Sequence, residues 1–123
     1  MASGVDPLLF QAEKIFAQRK SRSQTLPGDI LGEPGWDILL LAFIAHRKAT
    51  ICTFDEVTEE IGLGQSAVER WIKILELREL VVVSHRGKFF SISEDAEMKL
   101  SAMFAGQIRE LKQEIERASK LFR

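Results

Sequence analysis

Cysteine is nearly missing from this chain, with Cys52 the single example among 123 residues. One thiol excludes an internal disulfide and fits a reducing compartment. Histidine is scarce as well: His46 and His85 with one cysteine cannot build a tetrahedral metal site without carboxylates, and neither has another ligand beside it in sequence. Three prolines and eight glycines leave little room for disorder beyond the ends and one short linker. No uninterrupted apolar run approaches the ~18 to 20 residues that a membrane span needs, and the longest, residues 38–45, is less than half that. The opening MASGVDPLLFQAEK lacks a basic region followed by an apolar stretch, so no secretory leader is expected and cytoplasmic residence is the default. Excess charge of one sign is absent too: the formal net charge is -1, which argues against a surface that attracts polyanions everywhere. Catalytic signatures are missing. Gly62-Leu63-Gly64 lacks the third glycine of a dinucleotide loop and follows a helical pattern, and no nucleophile elbow occurs. Neither an enzyme nor a cofactor is expected.

What remains is a chain with 46% apolar residues, enough for one core and one domain over residues 1–123. Its charge is unevenly distributed. Lys14, Arg19, Lys20 and Arg22 form a basic run with no acid among them, whereas Asp55, Glu56, Glu59 and Glu60 concentrate negative charge farther on. Any nucleic-acid surface is therefore a patch.

Asp6 before Pro7 is a good helix start, and Leu8, Leu9, Ala12, Ile15 and Phe16 recur at helical spacing, predicting a helix over 6–20. Residues 21–33 gather serine, threonine, proline and glycine and read as a linker. A second helix over 34–47 begins at Pro34 and is apolar nearly all round, so it is expected to be buried on several sides. Thr53 with Glu56 makes a capping box, with Cys52 and Val57 as its staple. The short helix that follows stops at Gly62, and after the turn Gly62-Leu63-Gly64 a further helix runs over 65–79 with Val68, Ile72 and Leu75 inward. Two helices joined by a three-residue glycine turn form a helix-turn-helix unit over 53–79. Residues 80–93 read as a hairpin with Gly87 at its tight turn and a basic tip, 85–88. Ser93, followed by Glu94, Asp95 and Glu97, caps a last helix over 94–122. Along it Phe104, Ile108, Leu111, Ile115, Ala118 and Phe122 follow a heptad pattern that asks for a partner helix.

The chemistry concentrates on the helix over 65–79. With Val68, Ile72 and Leu75 inward, Gln65, Ser66, Glu69, Arg70 and Lys73 face outward, and arginine and glutamine have the donor geometry to reach guanine and adenine from a major groove. Arg86 and Lys88 at the hairpin tip suit flanking phosphate or the minor groove, and Arg19, Lys20 and Arg22 are compatible with a second phosphate contact. Trp71 reads as a packing residue. Ile74 and Leu77, turned outward by the same helical arithmetic, suggest that the far half of this helix is covered, by a terminal helix for example.

The run TFDEVTEEIGLGQSAVERWIKILELRELVVVSHRGKFFSIS resembles the winged helix-turn-helix core of the MarR-type (multiple antibiotic resistance regulator) family of bacterial repressors. The match rests on Ile61-Gly62-Leu63 through Gln65-Ser66, then Val68, Arg70, Ile72, Leu75 and Leu80-Val81. The element order extends it over nearly all the chain. The resemblance implies an α+β, mostly α fold: a winged helix-turn-helix domain with N- and C-terminal dimerisation helices. It implies that Gln65, Ser66, Ala67, Arg70 and Lys73 face the groove, that Arg86 and Lys88 are wing contacts, and that the terminal helices form a homodimer. The candidate dimerisation residues are Leu8, Leu9, Ile15, Phe104, Ile108, Leu111, Ile115, Ala118 and Phe122. Partners implied are double-stranded DNA, a second copy of the chain and, since many such regulators bind small ligands near the dimer interface, an unidentified small molecule. A transcriptional regulator that binds duplex DNA is therefore the expectation. The alternative is a winged helix retained as a protein-interaction module, with Glu69, the acidic segment from Asp55 to Glu60, Ile74 and Leu77 meeting another protein.

Overall fold

A computed structural model describes residues 5–25, 34–84 and 86–121, with the side chains of 19–25 excepted. Its first helix, α1 (Pro7–Thr25), starts as its sequence predicts. Asp6 Oδ1 accepts from the backbone N–H groups of Leu8 and Leu9 at 3.2 and 3.3 Å, occupying two donors that a helix start leaves open. The helix runs five residues past its expected end at residue 20, into the stretch read as linker. Serine and threonine are poor helix formers but do not break a helix, and neither glycine nor proline occurs between residue 20 and Pro27. The rest of that linker, 26–33, lies outside the described residues.

Helix α2 (Pro34–Arg47) is the central element, with Ile38, Leu39, Leu40, Ala42 and Phe43 all buried. A two-residue strand β1 (Cys52–Thr53) leads into α3 (Phe54–Ile61). Thr53 caps α3 by accepting from the Glu56 N–H at 3.1 Å, and Gly62 ends it at φ 78°, a left-handed conformation that costs glycine nothing. Helix α4 (Gln65–Leu77), strands β2 (Val81–Val83) and β3 (Phe89–Ile92), and the long α5 (Glu94–Leu121) complete the chain. Ser93 caps α5 through Oγ, which accepts from the Ala96 N–H at 3.1 Å. The sheet is antiparallel in the order β1-β3-β2, with Cys52 opposite Phe90 and Val82 opposite Ser91.

One core joins these parts. Phe43 of α2 meets Phe104 of α5 edge to face with centroids 5.2 Å apart, and Phe54 of α3 meets Phe90 of β3 in the same way at 5.7 Å. Gly35 lets the start of α2 lie flat on α4, since a Cβ there would come within 3.1 Å of the Trp71 ring. Trp71 is thus the packing residue its position suggests. At the other end of α2, the Arg47 guanidinium forks onto Asp6 at 2.8 and 2.9 Å and reaches Glu97 at 3.4 Å, tying α2 to both terminal helices. Hydrogen bonding from Arg47 holds the Asp6 carboxyl below its ordinary value of 3.8.

Helix α4 ends two residues short of the expected 79. Arg78 is its C-cap and Glu79 turns left-handed at φ 61°, so that the Leu80 N–H reaches the Leu75 carbonyl at 2.9 Å. That six-to-one bond closes a helix C-terminus of the kind normally completed by glycine. A side chain at such a φ costs about 1 kcal/mol. Replacing Glu79→Gly is expected to stabilise the protein by roughly 0.5 kcal/mol after the added freedom of the unfolded chain, read as a higher urea midpoint at unchanged slope. A second outcome concerns acid. Because the folded Asp6 carboxyl titrates below its unfolded value, its contribution is complete above pH 3.8 and disappears as pH falls through the lower folded value. The stability gap between wild type and Asp6→Asn, measured in urea, is expected to be widest near neutral pH and to close below pH 3.8.

Candidate nucleic-acid interface

Helix α4 has two sharply different sides. Val68, Ile72 and Leu75 are buried against the core. On the opposite side Gln65, Ser66, Glu69, Arg70 and Lys73 are all exposed, as their spacing predicts, and Ala67 lies at the margin, half-buried. Few contacts restrain these side chains. Gln65 Nε2 donates to Glu69 Oε1 at 3.4 Å, and Lys73 Nζ lies 3.8 Å from Glu76 Oε1, a loose surface pair worth only a few tenths of a kcal/mol. No side chain caps the start of α4, where Gly64 holds the N-cap position. The backbone N–H groups of the first turn therefore point outward beside Gln65 and Ser66.

The hairpin supplies the second part of the surface. Ser84 Oγ accepts from the N–H groups of Lys88 and Phe89 at 3.3 and 3.4 Å, Gly87 takes φ 64°, and the Phe54 N–H donates to the Lys88 carbonyl at 3.2 Å. The wing is thereby fastened to the start of α3, which the sequence pattern did not indicate. Arg86 and Lys88 are both exposed at its tip, while His85 lies outside the described residues. Together α4 and the wing expose four cations, Arg70, Lys73, Arg86 and Lys88, with the carboxylates Glu69 and Glu76 on α4. The acidic residues Asp55, Glu56, Glu59 and Glu60 are exposed on α3. The side chains of Arg19, Lys20 and Arg22 lie outside the described residues.

The residues expected to meet a second copy divide into two groups. Phe104 is fully buried against Phe43, which corrects its place in the expected seam: its ring is consumed inside its own chain because α5 packs on α2 there. Leu8 and Ile15 are half-buried and pack against the same core, and Leu9 is half-buried. Beyond Phe104 the seam opens outward. Ile108 is half-buried, Leu111 and Ile115 are 45% and 60% exposed, and Ala118 is exposed; Phe122 lies outside the described residues. A groove of ≈ 250 Å³ runs between α1 and α5 with Val5, Phe10, Ile108, Leu111 and Ile115 along its walls. Phe10, 62% exposed, is absent from the sequence-based set. It falls off the Leu8, Leu9, Ala12 stripe, and only its size on an otherwise polar side of α1 signals it.

Burial, and then the charge of Glu56, push the Cys52 thiol up to about 12, which leaves it a small apolar core residue. Among the described residues no group of three or more histidines, cysteines and carboxylates is placed to hold a metal ion, and no helix is long and apolar enough to cross a membrane.

No family model matches the sequence, and no curated protein matches it. Solved structures do. A transcriptional regulator from Thermotoga maritima superposes with a TM-score of 0.54 at 18% identity, over 89% of this chain and 82% of that one. BpsR of Bordetella bronchiseptica, whose DNA binding is regulated by 6-hydroxynicotinic acid, gives 0.46 at 25% identity over 88% of this chain and 78% of its own. ZitR of Lactococcus lactis gives 0.46 at 18% identity over 95% and 84%. What the chain shares with the Thermotoga maritima protein is the fold, here helix-rich with a small three-stranded antiparallel sheet.

Proposed function

We propose that this chain is a homodimeric transcriptional regulator that binds duplex DNA sequence-specifically, with α4 in the major groove and residues 85–88 of the wing on flanking backbone. One observation carries the reading: a helix hides Val68, Ile72 and Leu75 and turns Gln65, Ser66, Arg70 and Lys73 outward, and two more cations are exposed on a hairpin fastened to α3. A net charge of -1 is compatible with this because the cations form a patch. The fold it shares with a known transcriptional regulator supports the same reading.

The terminal helices support the dimer. The stretch of α5 from Arg109 to Leu121 is exposed throughout, and its apolar positions continue the groove formed with α1. A helix apolar along one stripe and uncovered over more than three turns is a poor monomer surface and a good dimer surface. A second copy seated there brings two α4 helices to half-sites about 34 to 36 Å apart on one face of the duplex.

A protein-interaction module is the second reading, favoured by Leu77, which is 73% exposed at the end of α4, and by the acidic face of α3. The two readings differ in salt dependence. Fluorescence anisotropy on random duplex is expected to show binding that weakens steeply with salt, and Arg70→Ala and Lys73→Ala are each expected to lower the slope of log affinity against log salt by about one where the side chain meets phosphate. Negligible binding of the wild type at low salt sinks the regulator reading. For the assembly, sedimentation equilibrium is expected to give a dimer that Leu111→Asp or Ile115→Asp converts to monomer with its helical content retained. A monomeric wild type at tens of micromolar defeats that part.

A further inference from the structure

Among the outward residues Gln65, Ser66, Glu69, Arg70 and Lys73, the one carboxylate is Glu69, with a second, Glu76, two turns farther along the helix and beside Lys73. Glu69 is exposed, one turn after Gln65 and one turn before Lys73. The lysine does not neutralise it, because Lys73 Nζ lies instead toward Glu76 at 3.8 Å. Its contact with Gln65 Nε2, at 3.4 Å, holds the carboxylate along the helix on the outward side. A carboxylate brought against a phosphate backbone is repelled, so a groove-facing glutamate is tolerated only where a base offers a donor.

In the major groove only the exocyclic amino groups of cytosine and adenine are donors, whereas guanine N7 and O6 and thymine O4 are acceptors that repel a carboxylate. Adenine sets its N7 lone pair beside the amino group, and an amide satisfies that pair while a carboxylate does not. Cytosine carries its N4 amino group with no acceptor next to it on the same base. The geometry points to Glu69 as a specificity-determining residue that accepts a hydrogen bond from cytosine N4 and penalises every other base at that position. This rests on the proposed entry of α4 into the major groove. It also gives a use to a side chain that, viewed only as charge, opposes binding.

Selection of bound duplexes from a random pool, run on the full chain as wild type and as Glu69→Gln, tests the assignment. The side chain is exposed, so the variant is expected to fold with an unchanged circular dichroism spectrum. Wild type is expected to enrich one cytosine at a fixed position in each half-site, with other bases there weakened about 5- to 150-fold. In Glu69→Gln that cytosine preference is expected to disappear and shift toward adenine, which an amide reads through N6 and N7, with the remaining positions unchanged. A variant that binds every sequence more tightly by one common factor, with the same preferred bases, overturns the assignment and leaves the regulator reading standing. A wild type that enriches no duplex overturns both together.

Discussion

The edge-to-face contact of Phe43 with Phe104 is the join on which the rest of the molecule depends. Phe43 belongs to the helix that also supports α4 through Gly35 and Trp71, and Phe104 to the helix that carries the exposed apolar stripe. Both rings are fully buried, so the base of α5 is part of the same core as the scaffold of α4. The Arg47 fork onto Asp6 and its reach to Glu97 reinforce this join at the edge of the core, where charge is still partly hydrated. Such a pair adds modest stability but fixes direction, because two parallel N–H donors on one carboxylate leave little rotational freedom.

A central helix that is apolar on nearly every side permits this arrangement. Helix α2 touches α1, the sheet, α3 and α4, and no single amphipathic stripe can serve that many neighbours. The surface of the molecule is correspondingly free to diverge in character: acidic on α3, charged with both signs on α4 and basic on the wing, apolar between α1 and the far part of α5. A nearly neutral net charge thus conceals three distinct surfaces.

Much of the architecture is legible in the sequence because its signals are local. Thr53, Gly62 and Ser93 act through bonds to residues within four positions, and each cap occurs where its side chain or missing side chain allows it. The outward set Gln65, Ser66, Glu69, Arg70 and Lys73 follows from three inward residues at helical spacing. What is not legible depends on partners distant in sequence. Strand β1 is two residues long and exists only because Cys52 and Thr53 pair with Phe90 and Phe89. Phe104 continues the α5 heptad by spacing, yet the facing ring of Phe43, sixty-one positions earlier, decides that it is core. Glu79 in a left-handed conformation contradicts local preference, and the Leu80 to Leu75 bond overrides it. Phe10 escapes because its neighbour in the groove, Leu111, is on the other terminal helix.

The two-sided character of α4 has an evolutionary consequence. Its outward side chains contact nothing in the core, so exchanging them leaves packing nearly untouched, whereas any change at Val68 or Ile72 disturbs the whole interior. Surface character and architecture are therefore held by separate residues of one thirteen-residue segment. A lineage of such chains is free to remodel this outward face by single exposed substitutions while inheriting an unaltered scaffold.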